Sequence, residues 1–449
     1  MPQNHSVNCD CYTCSNNLEF DIPSDLIDDL INLKAILFAG AGISTESPII
    51  FKSSFYNDIK DEINISKIED DSFPNIMSEF CEQKRNGRKL LLEKLKQRFD
   101  YCLKFSELYD DSTRFHRELC ELYMIRDIIT TNWDTYFEEV CHATPIVNSK
   151  DYAFNDLPYR KVYKIHGSIS NYGSIVATRK DYDNCLKNLK NGLIGSTIKH
   201  LLSTNTVIFV GYSFNDFDFN YIIKYLKSEL KDIHPHIYIV TLDNNPPKTI
   251  ENFSYTHIKT DGTFFLQRIK EHLIQKNLIN EGLDNSRIGY LDYERRDAYN
   301  NILGLFFKYR NPSSIYALFY LDGIKHAIQN LKFYMKTGDA YNPGFIFREL
   351  KRYDQIIKDF KKNKDYMEIS YLKGYYLGIS LMILPKKLEI SSLPFYFIFS
   401  KEVIDYTEFK EIISSSKVFH KTAEKLGVKY FAEYLKIEND IIPVHRPFL

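Results

Sequence analysis

From Lys34 to about Ile269, short β-branched or aromatic runs alternate with longer amphipathic stretches, and few folds accept that pattern. The runs are KAILFAG, IRDIITTN, KVYKIHG, TVIFVGYS and HIYIVTLD, separated by segments such as RKLLLEKLKQRFDYCLKFSELY. A crossover between parallel strands needs a helix, so the alternation predicts the α/β class with a Rossmann-like parallel sheet. Runs apolar on both faces belong at the centre of such a sheet. Four of them finish directly in small or polar residues: Gly40-Ala41-Gly42, Thr131-Asn132, His166-Gly167 and Gly211-Tyr212-Ser213. Those are the carboxyl ends of the strands, the edge where open α/β folds hold ligands.

The pattern changes near NLINEGLDNSRIG, Asn277 to Gly289, where apolar periodicity lapses and turn formers gather. Beyond it Leu321, Ile324, Ile328, Leu331 and Met335 recur at three- and four-residue spacing and mark one helix face. That stripe suits packing inside its own domain better than an oligomer seam. The segment NPGFIFRELKRYDQIIKDFKK opens on Asn-Pro, a helix-start signal. The expected organisation is a polar tail over 1–17, an α/β domain over 18–275, a linker over 276–290 and a mostly α-helical domain over 291–449.

Composition narrows the rest. Lys+Arg 58 against Asp+Glu 59 leaves a formal charge of −1, so no global field recruits nucleic acid or an anionic membrane. No apolar stretch approaches the roughly 20 residues that cross a bilayer. MPQNHSVNCDCYTC lacks the layout of a signal peptide, which makes a cytoplasmic protein with reduced thiols the expectation. Of eight cysteines, Cys81, Cys102, Cys120, Cys141 and Cys185 are scattered without metal spacing. His5, Cys9, Cys11 and Cys14 offer four zinc ligands, but a short terminal segment without a core around it reads more simply as a mobile tail. No catalytic metal is expected.

A strand ending in Gly-Ala-Gly lets backbone N–H groups approach a pyrophosphate, and a following helix adds its positive end. Alone the turn is a weak signal, since the third glycine of a dinucleotide fingerprint is replaced by Thr45. With GAGIST, TTNWD, KIHG and VGYS in this order, the first 270 or so residues resemble the sirtuin family. Within it the chain looks closer to the sirtuin-like NAD-hydrolysing domains of bacterial antiphage defence than to protein deacylases, and SIVATRKDYDNCL is similar to a segment common in that branch. Deacylases insert a zinc module with paired C-x-x-C motifs before the Gly-Ser turn, whereas only Cys185 lies between His166 and Ser213. They also carry I-P-D-F-R after the glycines, where this chain reads SPIIFKS.

The resemblance implies NAD+ as substrate, split by water into nicotinamide and ADP-ribose. By it, Gly40, Ala41, Gly42 and Ser44 line the pyrophosphate with Thr131 in the cofactor-binding set. Asn132 and Asp134 reach the nicotinamide-side ribose and the attacking water, and His166 contacts ribose hydroxyls as base or orienting group. Gly211 and Ser213 hold the adenosine half, with Asp243 a further ribose contact. Phe214, Asn215 and Asp216 close over adenine, or Asn215 or Asp216 caps a helix. Trp133 is expected beneath the pocket and His116 in a structural role. The chemistry fits, because nicotinamide departs with its nitrogen already cationic. The site therefore needs dipoles and a held water more than a strong acid. The resemblance also implies restraint until a phage signal or a partner protein such as an ATPase arrives, homo-oligomer assembly, and control through the helical domain. A deacylase or ADP-ribosyltransferase shares the first cleavage step, and a non-catalytic NAD- or ADP-ribose-binding subunit shares the pocket.

Overall fold

The computed structural model describes residues 11–44, 46–64, 70–214, 217–230, 234–245, 250, 253–281, 285–310, 312–363, 365–380, 407 and 442–447. The chain divides into two compact units, Met1–Lys276 and Asn277–Leu449. Among the described residues no helix is long and apolar enough to cross a membrane.

The first unit holds an all-parallel sheet: β1 Ala35–Ala39, β2 Asp127–Thr130, β3 Thr144–Ile146, β4 Lys161–Lys164, β5 Thr206–Val210, β6 Ile237–Thr241 and β7 Tyr255–Lys259. The order is β3-β4-β2-β1-β5-β6-β7. The Rossmann-like parallel sheet expected from the alternation is thus present, and its five inner strands are the five expected runs. The two strands that the alternation does not reveal are the edges. Edge strands need no continuous apolar run, and β3 even accommodates Pro145, which an inner position would not tolerate.

Helices α1 Tyr12–Asn16, α2 Ser24–Ile31, α3 Phe55–Lys60, α4 Phe73–Gln83, α5 Gly87–Lys104 and α6 Ser106–Glu121 come before β2. They are followed by α7 Tyr136–Cys141, α8 Arg179–Asn191, α9 Leu193–Thr204, α10 Phe217–Leu230 and α11 Gly262–Gln275. On one sheet face Ile36, Phe38, Ile129, Tyr163, Val207 and Phe209 meet Cys185 and Leu189 of α8 and Ile198 and Leu202 of α9. Each such buried side chain contributes about 1.5–3 kcal/mol.

Residues 11–18 are attached, which corrects the expectation of a mobile tail for this part. Asp261 N–H donates to the Asn16 carbonyl (2.9 Å) and Leu18 N–H to Thr260 Oγ1 (3.1 Å), both just after β7. His5 and Cys9, half of the possible zinc set, lie outside the described residues.

His116 has the structural setting expected of it. Its ring is fully buried against Phe137 and Tyr136, at 4.5 and 5.6 Å between centroids, and neither ring nitrogen has a hydrogen-bond partner. Burial, reinforced by Lys164 and Arg117, pushes its pKa down to about 3.

In the second unit α12 Asn285–Tyr309 begins within the stretch expected as linker and leads to α13 Pro312–Thr337, α14 Pro343–Asn363 and α15 Tyr366–Ser380. Asn342 caps α14, its Oδ1 accepting from Gly344 N–H (3.0 Å) and Phe345 N–H (3.3 Å), so the Asn-Pro signal is a true helix start. Leu321, Ile324, Ile328 and Leu331 are buried inside this unit and Met335 packs against the same core. The closest approach is backbone to backbone: a Cβ on Gly374 would fall 1.9 Å from the Tyr320 carbonyl oxygen, and one on Gly323 2.0 Å from that of Tyr371. Glycine is what lets α13 and α15 touch.

This packing makes Gly374→Ala a sharp probe: it is expected to destabilise the helical unit by about 2 kcal/mol or more. A lowered far-UV melting transition with an unmoved Trp133 fluorescence transition checks it. For His116, a folded-state pKa below the unfolded one means the native chain binds fewer protons, so stability falls as pH drops from about 6.5 toward 3. Asp134 and Glu138, pushed upward by burial, act in the opposite sense, so only the difference between two chains isolates the histidine. Between pH 7 and 4.5, His116→Phe should lose on the order of 2–3 kcal/mol less stability than the wild type. Urea unfolding followed through Trp133 measures both losses, and equal ones refute the assignment.

Candidate functional site

Register assembles the site. Ala39 is level with Thr130 on one side and Val210 on the other, Thr130 with Lys164, and Val210 with Val240. The residues that follow these strands therefore emerge along one edge. β1 sits where successive strands part to opposite sides of the sheet, the place where open α/β sheets form a crevice. A cleft of about 1280 Å³ opens there, and Ala41, Gly42, Thr131, Asn132, His166, Gly211, Ser213 and Asp243 line it. Five distant stretches of sequence thus meet in one cavity, each following a different strand of the sheet. Gly40, Ser44 and Asp134 are not on its surface. Thr45, Asn215 and Asp216 lie outside the described residues.

The glycine turn is closed against the end of β5. Gly40 N–H donates to the Val210 carbonyl (3.0 Å) and Gly42 N–H to the Gly211 carbonyl (3.1 Å), so both amides are engaged by the end of β5. A Cβ on Gly40 would stand 2.4 Å from Gly211 O, and Gly211 itself has φ +60°, with a Cβ 2.7 Å from Ile43 N. These glycines let two strand ends meet backbone to backbone. After β1 the chain makes a single 3-10 turn, Ala41–Ile43, and among the described residues the next helix is α3.

Behind the cleft wall lies a buried polar chain. Asn132 is 4 % exposed; its Nδ2 donates to the Gly40 carbonyl (3.2 Å) and to Ser44 Oγ (3.4 Å). Ser44 Oγ in turn donates to Asp134 Oδ2 (3.0 Å), and Asp134 Oδ1 accepts from Tyr136 N–H (3.2 Å). Ser44 and Asp134 are buried and off the cleft surface, and their side chains contact Asn132 and its surroundings. Burial pushes the Asp134 carboxyl upward, and Lys164 opposes it. The Lys164 ammonium, wholly buried, donates to the Asp134 backbone carbonyl and lies 3.2 Å from Glu138 Oε1. A buried cation without such partners would be strongly destabilising.

With Nδ2 committed to two acceptors, the amide oxygen of Asn132 is the end left with no hydrogen-bond partner. His166, 3 % exposed, reaches the cleft from the strand next to β2, and its ring lies 5.0 Å from that of Tyr182 on α8. Trp133 is on the cleft wall, not beneath it, where Phe55 and Phe73 approach its ring at 6.2 and 6.0 Å. Other cleft residues carry no recognisable motif. Glu46 and Arg98 line it as an ion pair, as do Arg114 and Asp261. Arg98 lies in the lysine-rich helix α5, whose charges read in sequence as a solvated face.

Residues 126–260 match the SIR2-like domain family. The chain is 22% identical over 307 residues to the NAD(+) hydrolase ThsA of Bacillus cereus (strain MSX-D12), covering 61% of each protein. It is 28% identical over 214 residues to the NAD(+) hydrolase ThsA of Enterococcus faecium, covering 46% of this chain and 43% of that one. Over 142 residues it is 24% identical to Defense-associated sirtuin 2 of Bacillus subtilis, covering 30% of this chain and 14% of the other. The matched stretch thus spans less than two thirds of each relative. The ordered motifs, the parallel sheet on which they end and these similarities mark residues 126–260 as a SIR2-like domain, similar to those of proteins named NAD(+) hydrolase and defense-associated sirtuin.

Proposed function

We propose that this chain is an NAD+ glycohydrolase that converts NAD+ and water to nicotinamide and ADP-ribose. The observation that carries the reading is the Asn132 amide: buried, fixed through its nitrogen, and offering an unpartnered oxygen in a residue that lines a cleft. Such an oxygen accepts from a ribose hydroxyl or from water, and its dipole stabilises the positive charge that grows on the ribose as the glycosidic bond breaks. No acid is required, since the leaving nitrogen carries its charge beforehand.

The other roles follow from position. Ser44 and Asp134 hold the Asn132 amide in orientation. His166 faces the same cavity and takes the proton of the attacking water as a general base. The Trp133, Phe55 and Phe73 rings beside Asn132 suit a flat cationic ring, which aromatic faces attract. Ala41, Gly42, Thr131, Gly211, Ser213 and Asp243 accommodate the rest of the dinucleotide. Relatives bearing the names NAD(+) hydrolase and defense-associated sirtuin support an NAD-depleting role in antiphage defence. In that role the chain would be a homo-oligomer held inactive until a phage trigger or partner protein acts, with the helical unit as the regulatory and oligomerisation domain.

Incubating the full chain with NAD+, alone and with an acetylated peptide, tests the reaction. Chromatography should show nicotinamide and ADP-ribose accumulating in equal amounts with no effect of the peptide. Asn132→Ala should lower the rate by about 100-fold or more, the scale for losing one preorganised dipole. Formation of O-acetyl-ADP-ribose would assign a deacylase instead, and unchanged turnover in Asn132→Ala would remove the amide from the mechanism.

A further inference from the structure

We infer that Arg98 is a positioning residue that rivets segment 46–58 into the wall of the cleft, an inference that rests on the NAD+ reading for its link to turnover. Segment 46–58 runs from the glycine turn into α3 and supplies Glu46, Ser47, Pro48, Ser54, Phe55 and Tyr56 to the cavity. Apart from the first residues of α3 it has no regular secondary structure. Its shape therefore depends on contacts from outside itself.

Tyr56 Oη donates to the Asp71 carbonyl (2.6 Å) and Phe51 meets Tyr101, but several of those contacts converge on one side chain. Arg98 Nη1 donates to Asp58 Oδ2 (2.9 Å), and Nη2 donates to the Ser53 carbonyl (2.8 Å) and lies 3.3 Å from Glu46 Oε1. The guanidinium carbon sits 3.8 Å above the Phe51 ring. Glu46 passes the hold onward, since its Oε2 accepts from Phe55 N–H (3.2 Å) at the start of α3. The Arg98 side chain is only 8% exposed although it rises from an otherwise charged helix. One planar fork thus joins positions 46, 53 and 58 and stacks on 51, a geometry that a guanidinium supports and an ammonium does not. Phe55, which the same network seats, is the ring against Trp133 beside Asn132. The path from rivet to reacting centre is therefore short: Arg98, Glu46, Phe55, Trp133.

Removing the fork should loosen this wall and weaken ligand binding while the sheet and the Asn132 chain stay intact. The test uses the full-length chain as wild type, Arg98→Met and Arg98→Lys, with ADP-ribose as the probe. Hydrogen exchange in peptides covering 46–58 should accelerate about tenfold or more in Arg98→Met, with β1, β2 and β5 unchanged. Calorimetry should show ADP-ribose affinity lowered about fivefold or more, and nicotinamide release should show a raised KM with a smaller change in kcat. Arg98→Lys should fall between, because it retains the charge and loses the fork. Exchange and affinity at wild-type values in Arg98→Met would overturn the inference, and so would acceleration spread over the whole first unit, which would mark a general stability residue. If Arg98→Met loosens only 46–58 while the wild type neither binds ADP-ribose nor releases nicotinamide, the rivet stands and the NAD+ reading fails.

Discussion

The contact between Gly40 and Gly211 is the constraint on which the rest of the site depends. Two parallel strands carry their chains to the same level, and the absence of a side chain lets the ends close on one another. Once they touch, Ala41 and Gly42 are fixed on one side of the cleft and Tyr212 and Ser213 on the other. The Gly40 carbonyl is left facing β2, where the Asn132 amide takes it. The glycines act through the scaffold first. The Gly40 and Gly42 amides are engaged within the protein, and the space the glycines create is what a ligand would use.

The polar groups then form two layers with different work. Those on the cleft surface include the Asn132 amide, held at its nitrogen end only. Behind it Ser44, Asp134 and Lys164 are buried and linked to one another, and Glu138 Oε1 lies 3.2 Å from the Lys164 ammonium. Burial raises the carboxyls of Asp134 and Glu138, and the ammonium between them limits the cost. Such a network orients the Asn132 amide while keeping its own charges out of the cleft lining. Arg98 applies the same logic at the mouth, where its charge is shared among segment 46–58 and is not offered outward.

Much of the site is legible in the order of residues along the chain. The strand-end positions of Asn132, His166, Gly211 and Ser213 put them on one edge, because parallel strands share a direction. Depth is not legible there. Ser44, Asp134 and Asn132 all sit in short turns, yet two of them face inward and one faces the cleft, and that difference comes from packing across elements nearly ninety residues apart. Arg98 is illegible for a related reason: among the Lys and Arg of α5 nothing local distinguishes the one that turns toward segment 46–58.

The sequence by itself determined the class of fold, the five inner strands, the helical second unit and the edge on which polar residues would gather. Periodicity and strand-end composition are local properties and need no partner to be read. Only the tertiary structure decided the edge strands β3 and β7, the attachment of residues 11–18, the steric purpose of the glycine turn, and which charged groups face the cleft. Each of these is settled by a contact between residues far apart in the chain, where burial and hydrogen bonding choose among options that the local sequence leaves equal.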